Sequence, residues 1–472
     1  MNYQELGFKS GIEIHQQLEG YKLFCNCPCL VNDPNPPDIL IKRKLRTTAS
    51  ELGKIDQAAA FEMQRDRTFI YEACSTSSCL VETDDEPPHQ VNKHALEAAM
   101  QVASLMKCKM VRHIQFMRKV VIDGSNLGAF QRTALIAYDG KIETSKGQVK
   151  IESVCLEEES AKKIEERERE VMYRLDRLGI PLIEIATDAS LQDPEHVREA
   201  AAIIGMILRS TEHVKHGLGS IRQDINISIK GHPRVELKGF QDLRSIPKTV
   251  ENEVKRQIEN LKGKKIMGEV RKVNPDFTST FLRPMPGAER MYPETDIPLV
   301  HITNEDLKKI VLPELLTERI IKLEKKYKLN PELARKVIEM EYFEDFVAAY
   351  PKLESAFIAH TLIETPKEIT ARYHLNGSKL ARKDFTLIFD ALQSGKIPKS
   401  AILEILIKIL KDEEVNLNNY AILSDKELEG IIKQVIAQNK GAPFNALMGE
   451  SMKVLKGRSE GKKVAEIIRR YS

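Results

Sequence analysis

Apolar and polar positions alternate through Gly11-Ile12-Glu13-Ile14-His15, and on a strand that alternation sets Glu13 and His15 on one face, the isoleucines on the other. Pro181-Leu182-Ile183-Glu184-Ile185 reads as a strand with one carboxylate planted in an apolar run. Val154 to Glu159 alternates long enough to give Glu157 and Glu159 a common face. Two more strands follow the same rule. Ile225, Ile227 and Ile229 alternate with Asp224, Asn226 and Ser228, and Arg234, Glu236 and Lys238 share one side of the next run. The period changes at Asp193-Pro194. There an N-cap, a proline at the first helical position and Val197, Ala200, Ala201, Ile204 and Leu208 at helical spacing predict an amphipathic helix. Further helices are predicted from Ala95 to Met106 and around Val250 to Leu261.

From Gly7 to about Ile297 short β-rich runs mix with a few helices, whereas from about Thr303 onward the pattern is almost wholly helical. Prolines at 284, 286, 293 and 298 block regular helix between the two textures. The fold class expected is therefore α+β, with a β-rich domain over residues 1–297, an α-helical domain over 298–376 and a small helical tail domain over 377–472. The second break is placed at Asn376-Gly377-Ser378, after which Leu380, Phe385, Leu387 and Ile388 restart an amphipathic pattern.

A chain of 472 residues is too long for one core, and 42% hydrophobic with 30% charged residues excludes a disordered polymer. The 72 basic and 69 acidic side chains leave a net charge of only +3, so affinity for nucleic acid must come from local patches. One such patch is the tail. From Lys440 onward Lys440, Lys453, Lys456, Arg458, Lys462, Lys463, Arg469 and Arg470 face only Glu450, Glu460 and Glu466. No apolar stretch reaches bilayer length and the N-terminus lacks a secretion signal, so a cytoplasmic protein without a membrane association is expected.

If the first strands are neighbours, one imidazole and several carboxylates converge as a site for a hard cation, which in turn manages phosphate. The bland alternative for each strand is the solvent-facing side of an antiparallel sheet. Seven cysteines argue against a disulfide framework. Cys25, Cys27, Cys29, Cys74 and Cys79 are either ligands of a structural zinc drawn from two loops or plainly buried thiols, while Cys108 and Cys155 read as core. There is no phosphate-binding Gly-rich loop ending in Lys-Ser/Thr, and Gly217-Leu218-Gly219 lacks the third glycine of a dinucleotide fingerprint.

Five segments together carry a resemblance: Gly11 to Leu18, Leu175-Asp176-Arg177-Leu178-Gly179-Ile180-Pro181-Leu182-Ile183-Glu184, Ser220 to Ser228, Val235-Glu236-Leu237-Lys238, and Tyr292-Pro293-Glu294-Thr295-Asp296. They resemble the GatB/GatE family, the kinase-like subunits of tRNA-dependent amidotransferases. Ile122-Asp123-Gly124-Ser125-Asn126, Gly128 to Ala134 and Cys79 to His89 are similar to its archaeal GatE branch. Phe444 to Gly449 and Gly457 to Lys462 resemble the family's YqeY-like tail.

The resemblance implies a cradle-shaped catalytic domain, a helical domain and a tRNA-binding tail in which Lys456, Arg458, Lys462 and Lys463 are the expected contacts. It implies activation of Glu-tRNA(Gln) by ATP to a γ-phosphoryl intermediate and amidation by ammonia. Mg²⁺ would be held by His15, Glu157 and Glu184 with Glu13 beside them, and a structural zinc, where the family has one, draws on the regions of Cys25 and Cys27 and of Cys74 and Cys79, which four ligate being open. It also implies a hetero-oligomer with an asparaginase-like, ammonia-supplying subunit, GatD. The domain usually inserted in the GatE branch, similar to one in aspartyl-tRNA synthetases, has no room between the helix around Val250 and Arg283-Pro284. Within the family a GatB-type Asp/Glu-tRNA amidotransferase subunit is the alternative, and outside catalysis a tRNA-binding scaffold.

Overall fold

In the computed structural model of the chain, the described residues are all except 48, 50–52, 218, 241, 264–266, 288–290, 339, 341, 422, 456, 457, 460 and 472. The alternating runs pair into an 11-stranded mixed sheet. Its principal strands are β1 (Lys9–Gln17), β2 (Met117–Val120), β3 (Phe130–Thr144), β4 (Gly147–Glu158), β5 (Pro181–Thr187), β6 (Ile221–Ser228), β7 (Val235–Phe240), β8 (Glu269–Val273), β9 (Ser279–Pro284) and β10 (Met291–Pro293). They lie in the order β9-β8-β7-β6-β1-β5-β4-β3-β2-β10, with Lys109–Met110 alongside β3. Every pair is antiparallel except β7 with β8. A separate 4-stranded sheet joins Ile39–Arg43, Thr68–Ala73, Glu170–Arg174 and Lys162–Glu166.

Three helices, α1 (Lys93–Leu105), α2 (Pro194–Arg209) and α3 (Ile246–Asn260), pack on the main sheet. α2 starts as its sequence dictates: the Asp193 side chain accepts from the His196 N–H and Pro194 fills the first turn. Its buried Val197, Ala200, Ala201, Ile204 and Leu208 belong to one core with Ile12, Ile14, Ile183, Ile185, Ile225, Ile227, Val235 and Leu237. Full burial of each such side chain contributes about 1.5–3 kcal/mol, so register is fixed by the isoleucine face, and the polar alternates are left on the opposite one. In the loop from β2 to β3, Gly124 adopts φ +89° with its Cβ position only 2.2 Å from the Phe69 ring, and Tyr71 donates to its carbonyl at 2.9 Å. Only glycine fits that turn, which carries Asp123 and Ser125 to the polar face.

The chain forms two compact units, Met1–Leu315 and Leu316–Ser472. The second is helical throughout its described residues. One of its cores runs from Leu323 to Tyr420, and a second from Leu423 to Ile468 lies beneath helices Asp425–Gln438, Phe444–Leu455 and Gly461–Tyr471. The short turn Gly377–Lys379 lies at the expected break, but residues on both sides of it, Leu362 and Ile369 with Phe385 and Ile388, share the first of these cores. Among the described residues no helix is long and apolar enough to cross a membrane.

Candidate functional site

β1 lies between β5 and β6, so His15 stands opposite both Glu184 and Arg222, and Glu13 opposite both Ala186 and Asp224. On β4 Glu157 is paired with Leu182, two residues from the Cys155 that faces Glu184, and therefore shares the face of Glu184. His15 Nε2 is 3.1 Å from Glu184 Oε2 and 3.7 Å from Glu157 Oε1. Lys119, from the short β2, closes the group at 3.2 Å from Glu157 and 3.5 Å from Glu184. Glu157 is only 1% exposed, so its charge has little help from water.

The electrostatics follow from that crowding. Burial opposes an imidazolium at His15, yet the hydrogen bond and charge of Glu184, backed by Glu157 and Asp224, outweigh it and raise its pKa to about 9. Burial likewise works against ionised Glu184, but Lys119 and His15 hold its pKa well below the usual carboxylate range. Glu157 goes the other way, pushed up by burial, with the nearby charge of Glu184 adding to the effect. Lys119 and the His15 imidazolium thus compensate the carboxylates of Glu157 and Glu184.

A second acidic group adjoins the first. Glu13, Asp224 and Glu236 offer ligand atoms all within 4.8 Å of one another, and Lys238 sits between Asp224, at 2.6 Å, and Glu236. Glu13 accepts from Asn226 at 3.1 Å and has a raised pKa, first from burial and then from Glu184 and Glu236. Glu159, just past β4, accepts from Gln17 and Arg222, each at 2.9 Å. His15, Lys119, Glu157, Glu159, Arg222 and Asp224 wall a cavity of about 310 Å³. Polar positions that the bland reading leaves to solvent thus border a cavity, because β7, β6, β1, β4, β3 and β2 each turn a polar side chain toward it. Lys119, Arg222 and Asp224 were not singled out by the sequence. Asp224 and Arg222 lay in segments whose alternation was visible, but the four-residue β2 is too short to show any.

The cysteines divide. Cys25, Cys27 and Cys79 come together with Glu82, not with Cys74. The Cys25 thiol donates to Glu82 Oε1 at 3.0 Å, and Glu82 Oε2 accepts from the Cys79 N–H at 2.8 Å. Fully buried Lys22 lies 3.7 Å from the same carboxylate. The neighbouring Cys25 side chain lowers the Cys27 pKa to about 7, whereas burial raises Cys79 to about 11 and Cys29 to about 12. Cys74 follows the end of strand Thr68–Ala73, and its sulfur faces the Asn35 and Pro36 carbonyls and the Arg174 guanidinium at 3.1 Å. In the tail Arg458 donates to the Ala421 carbonyl, Lys463 pairs with Asp425 at 3.0 Å, and Lys462 is exposed; Lys456 lies outside the described residues.

The sequence that builds this polar sheet face and the helical unit after it has relatives among known proteins. Residues 8–308 match the family described as GatB/GatE catalytic domain, and residues 341–471 match the one described as GatB domain. The chain belongs to the GatB/GatE family. It is similar to proteins named as the GatE subunit of glutamyl-tRNA(Gln) amidotransferase: 36% identical to that of Methanocaldococcus jannaschii over 100% of this chain and 99% of the relative. With that of Methanosarcina acetivorans it is 34% identical over 99% and 98%. The first of these alignments runs over 625 positions against 472 residues here, so the relative carries segments with no counterpart in this chain.

Proposed function

We propose that this chain is the activating subunit of a tRNA-dependent amidotransferase acting on Glu-tRNA(Gln). A γ-carboxylate oxygen of the mischarged glutamate attacks the γ-phosphorus of ATP and ADP departs; ammonia then attacks the acyl carbon, phosphate leaves, and Gln-tRNA(Gln) results. The observation that carries this reading is the convergence of His15, Glu157 and Glu184 within ligand distance of one another, with His15 and Glu157 walling a cavity of a family-matched catalytic domain. The names of the relatives support it. A tRNA-binding scaffold would have no use for so costly a cluster of buried like charges. In this reading residues 1–297 are the activating cradle, 298–376 a helical domain and 377–472 the tRNA-binding tail, in a cytoplasmic hetero-oligomer with an asparaginase-like GatD. The relatives' extra segment belongs between α3 and β10.

With His15 deprotonated on binding, its imidazole and the carboxylates of Glu157 and Glu184 would offer donors to a Mg²⁺, and Glu13, Asp224 and Glu236 form a second oxygen-rich set beside it. A bound Mg²⁺ would neutralise phosphate oxygens and polarise the transferred phosphoryl group. The chain's own residues do the rest. Lys119 balances Glu157 and Glu184, and Glu159 holds the Arg222 guanidinium at the cavity wall. Purified chain supplied with Glu-tRNA(Gln), ATP and ammonium is expected to form Gln-tRNA(Gln) without an amidase partner. Its failure with ammonium, where the assembled complex succeeds with an amide donor, would remove the activating step from this chain.

Cys25, Cys27, Cys79 and Glu82 suit a structural zinc, three soft donors and one carboxylate, with Lys22 offsetting the surplus negative charge. Elemental analysis of protein purified without chelators is expected to find about one zinc per chain. Cys79→Ser should remove most of it and Cys74→Ser none. Equal loss from both variants would contradict this grouping.

For the tail, the three described candidates Arg458, Lys462 and Lys463 lie in or beside the last helix, over a core of their own. Replacing them together with alanine is expected to weaken tRNA binding and to lower the slope of log affinity against log salt by about one for each phosphate no longer neutralised. An unchanged slope would place the tRNA elsewhere.

A further inference from the structure

Arg283 is a cation of the catalytic cavity that the reading above leaves without a task. It stands on the edge strand β9 opposite Val270, where the register of β8 slips by a residue, and its side chain lines the 310 Å³ cavity. Its other neighbour is a small recess bounded by Asp56, Glu62 and Asp123. Those carboxylates are engaged elsewhere. Asp56 accepts from the Ala59 and Gly287 N–H groups at 2.9 and 2.8 Å, Asp123 holds Ser125, and Glu62 pairs with Arg65 at 3.3 Å. The remaining cations of the cavity all have acids: Lys119 has Glu157 and Glu184, Arg222 has Glu159, and Lys238 has Asp224 and Glu236. Among the described residues Arg283 has no ion pair, and its Nε is buried with no acceptor.

A desolvated guanidinium N–H without an acceptor is unfavourable in the free protein, and an arriving oxyanion relieves it. Arginine is suited to this because its planar fork meets a phosphate or carboxylate through parallel hydrogen bonds. The backbone is held ready: Pro284 restricts Arg283 to an extended conformation, and Asp56 pins the Gly287 amide three residues beyond Pro284. Resting on the reading of this cavity as the ATP site, we infer that Arg283 binds a phosphate oxygen of the nucleotide. The carboxylates beside His15 repel a bare anion, so a polyphosphate needs a cation of its own at another wall, and Arg283 supplies one.

The test is titration calorimetry of Mg-ATP into the full chain, with melting curves and steady-state kinetics, for wild type, Arg283→Gln and Arg283→Lys. Arg283→Gln should bind ATP ten-fold or more weakly and raise KM for ATP to match, with KM for Glu-tRNA(Gln) within two-fold of wild type. Arg283→Lys should recover part of the loss, since it keeps the charge but not the fork. Without nucleotide Arg283→Gln should melt no lower than wild type, because the donor it deletes has no partner, while its gain in Tm on adding ATP should shrink. Unchanged ATP affinity in Arg283→Gln would overturn the inference. So would an effect confined to KM for Glu-tRNA(Gln), which would assign the arginine to the aminoacyl end, or a lower Tm with an undiminished ATP-induced gain, which would make it structural. Failure of the wild type itself to bind ATP and amidate would instead bring down the proposed function.

Discussion

Glu184→Gln is expected to lower the rate of ATP-dependent amidation of Glu-tRNA(Gln) by about 10²–10³-fold while leaving tRNA affinity within a few-fold. The amide keeps the size of the side chain and its hydrogen bond to His15, but it removes the one carboxylate of the group whose pKa is driven strongly down. That charge is what Lys119 and His15 are arranged around. In the proposed reading tRNA is held by phosphate contacts of the tail, outside this cavity, so binding and turnover should separate. His15→Ala should behave alike. A parallel loss of binding and turnover, with a lowered Tm, would make these residues structural. The pair of measurements is a filter-binding titration beside steady-state kinetics.

Glu294→Gln is expected to destabilise the first unit by about 1–3 kcal/mol, because it removes a buried carboxylate shared by two arginines, which keep Asp296 and Glu158 as their other partners. Glu294 is 1% exposed and takes both Arg118, at 2.7 Å, and Arg132, at 2.7 Å. Burial alone would raise its pKa, but the hydrogen bonds from Arg118, the Asp296 amide and Arg132 hold it below the ordinary value. The sign follows. A depressed folded-state pKa gives stability that is present above the unfolded glutamate pKa and is lost as pH falls through the folded value. The gap in Tm between wild type and variant should therefore be full at neutral pH and narrow under acid, below about pH 4. Arg118 is also the neighbour of Lys119 on β2, pointing to the opposite face, so loosening this ion pair should slacken the strand that brings Lys119 to the cavity. A pH-independent gap would contradict the ionic origin of the effect.

Much of this arrangement could be read from the chain alone, and the limits have physical causes. Alternation in Gly11–His15 and in Pro181–Ile185, and the capped stripe after Asp193, specify elements by local pattern, so the strands and α2 were legible. Pattern also gave the shared faces of Glu13 with His15 and of Glu157 with Glu159. It could not give adjacency: that β1 lies between β5 and β6 is a property of chain topology. Lys119 escaped notice on a strand of four residues, and Arg283 because a register slip and an edge position decide where it points. Among the cysteines spacing misled. Cys74 and Cys79 look like a pair, yet Cys74 leaves its strand toward the Asn35 loop, and the turn after Cys79 folds Glu82 back in its place. The helical texture after Thr303 was legible as helix, while the extension of the first compact unit to Leu315 depends on packing.

The central claim is that this chain itself makes the γ-phosphoryl intermediate. Rapid-quench analysis with γ-labelled ATP, Mg²⁺ and Glu-tRNA(Gln), in the absence of any ammonia source, tests it most directly. Wild type should place the label on the glutamyl group of the tRNA, in an acid-stable, base-labile form that ammonium discharges as phosphate, and Glu184→Gln should not. Label appearing only as free phosphate at a rate indifferent to Glu-tRNA(Gln), or equal labelling by both proteins, would contradict the assignment.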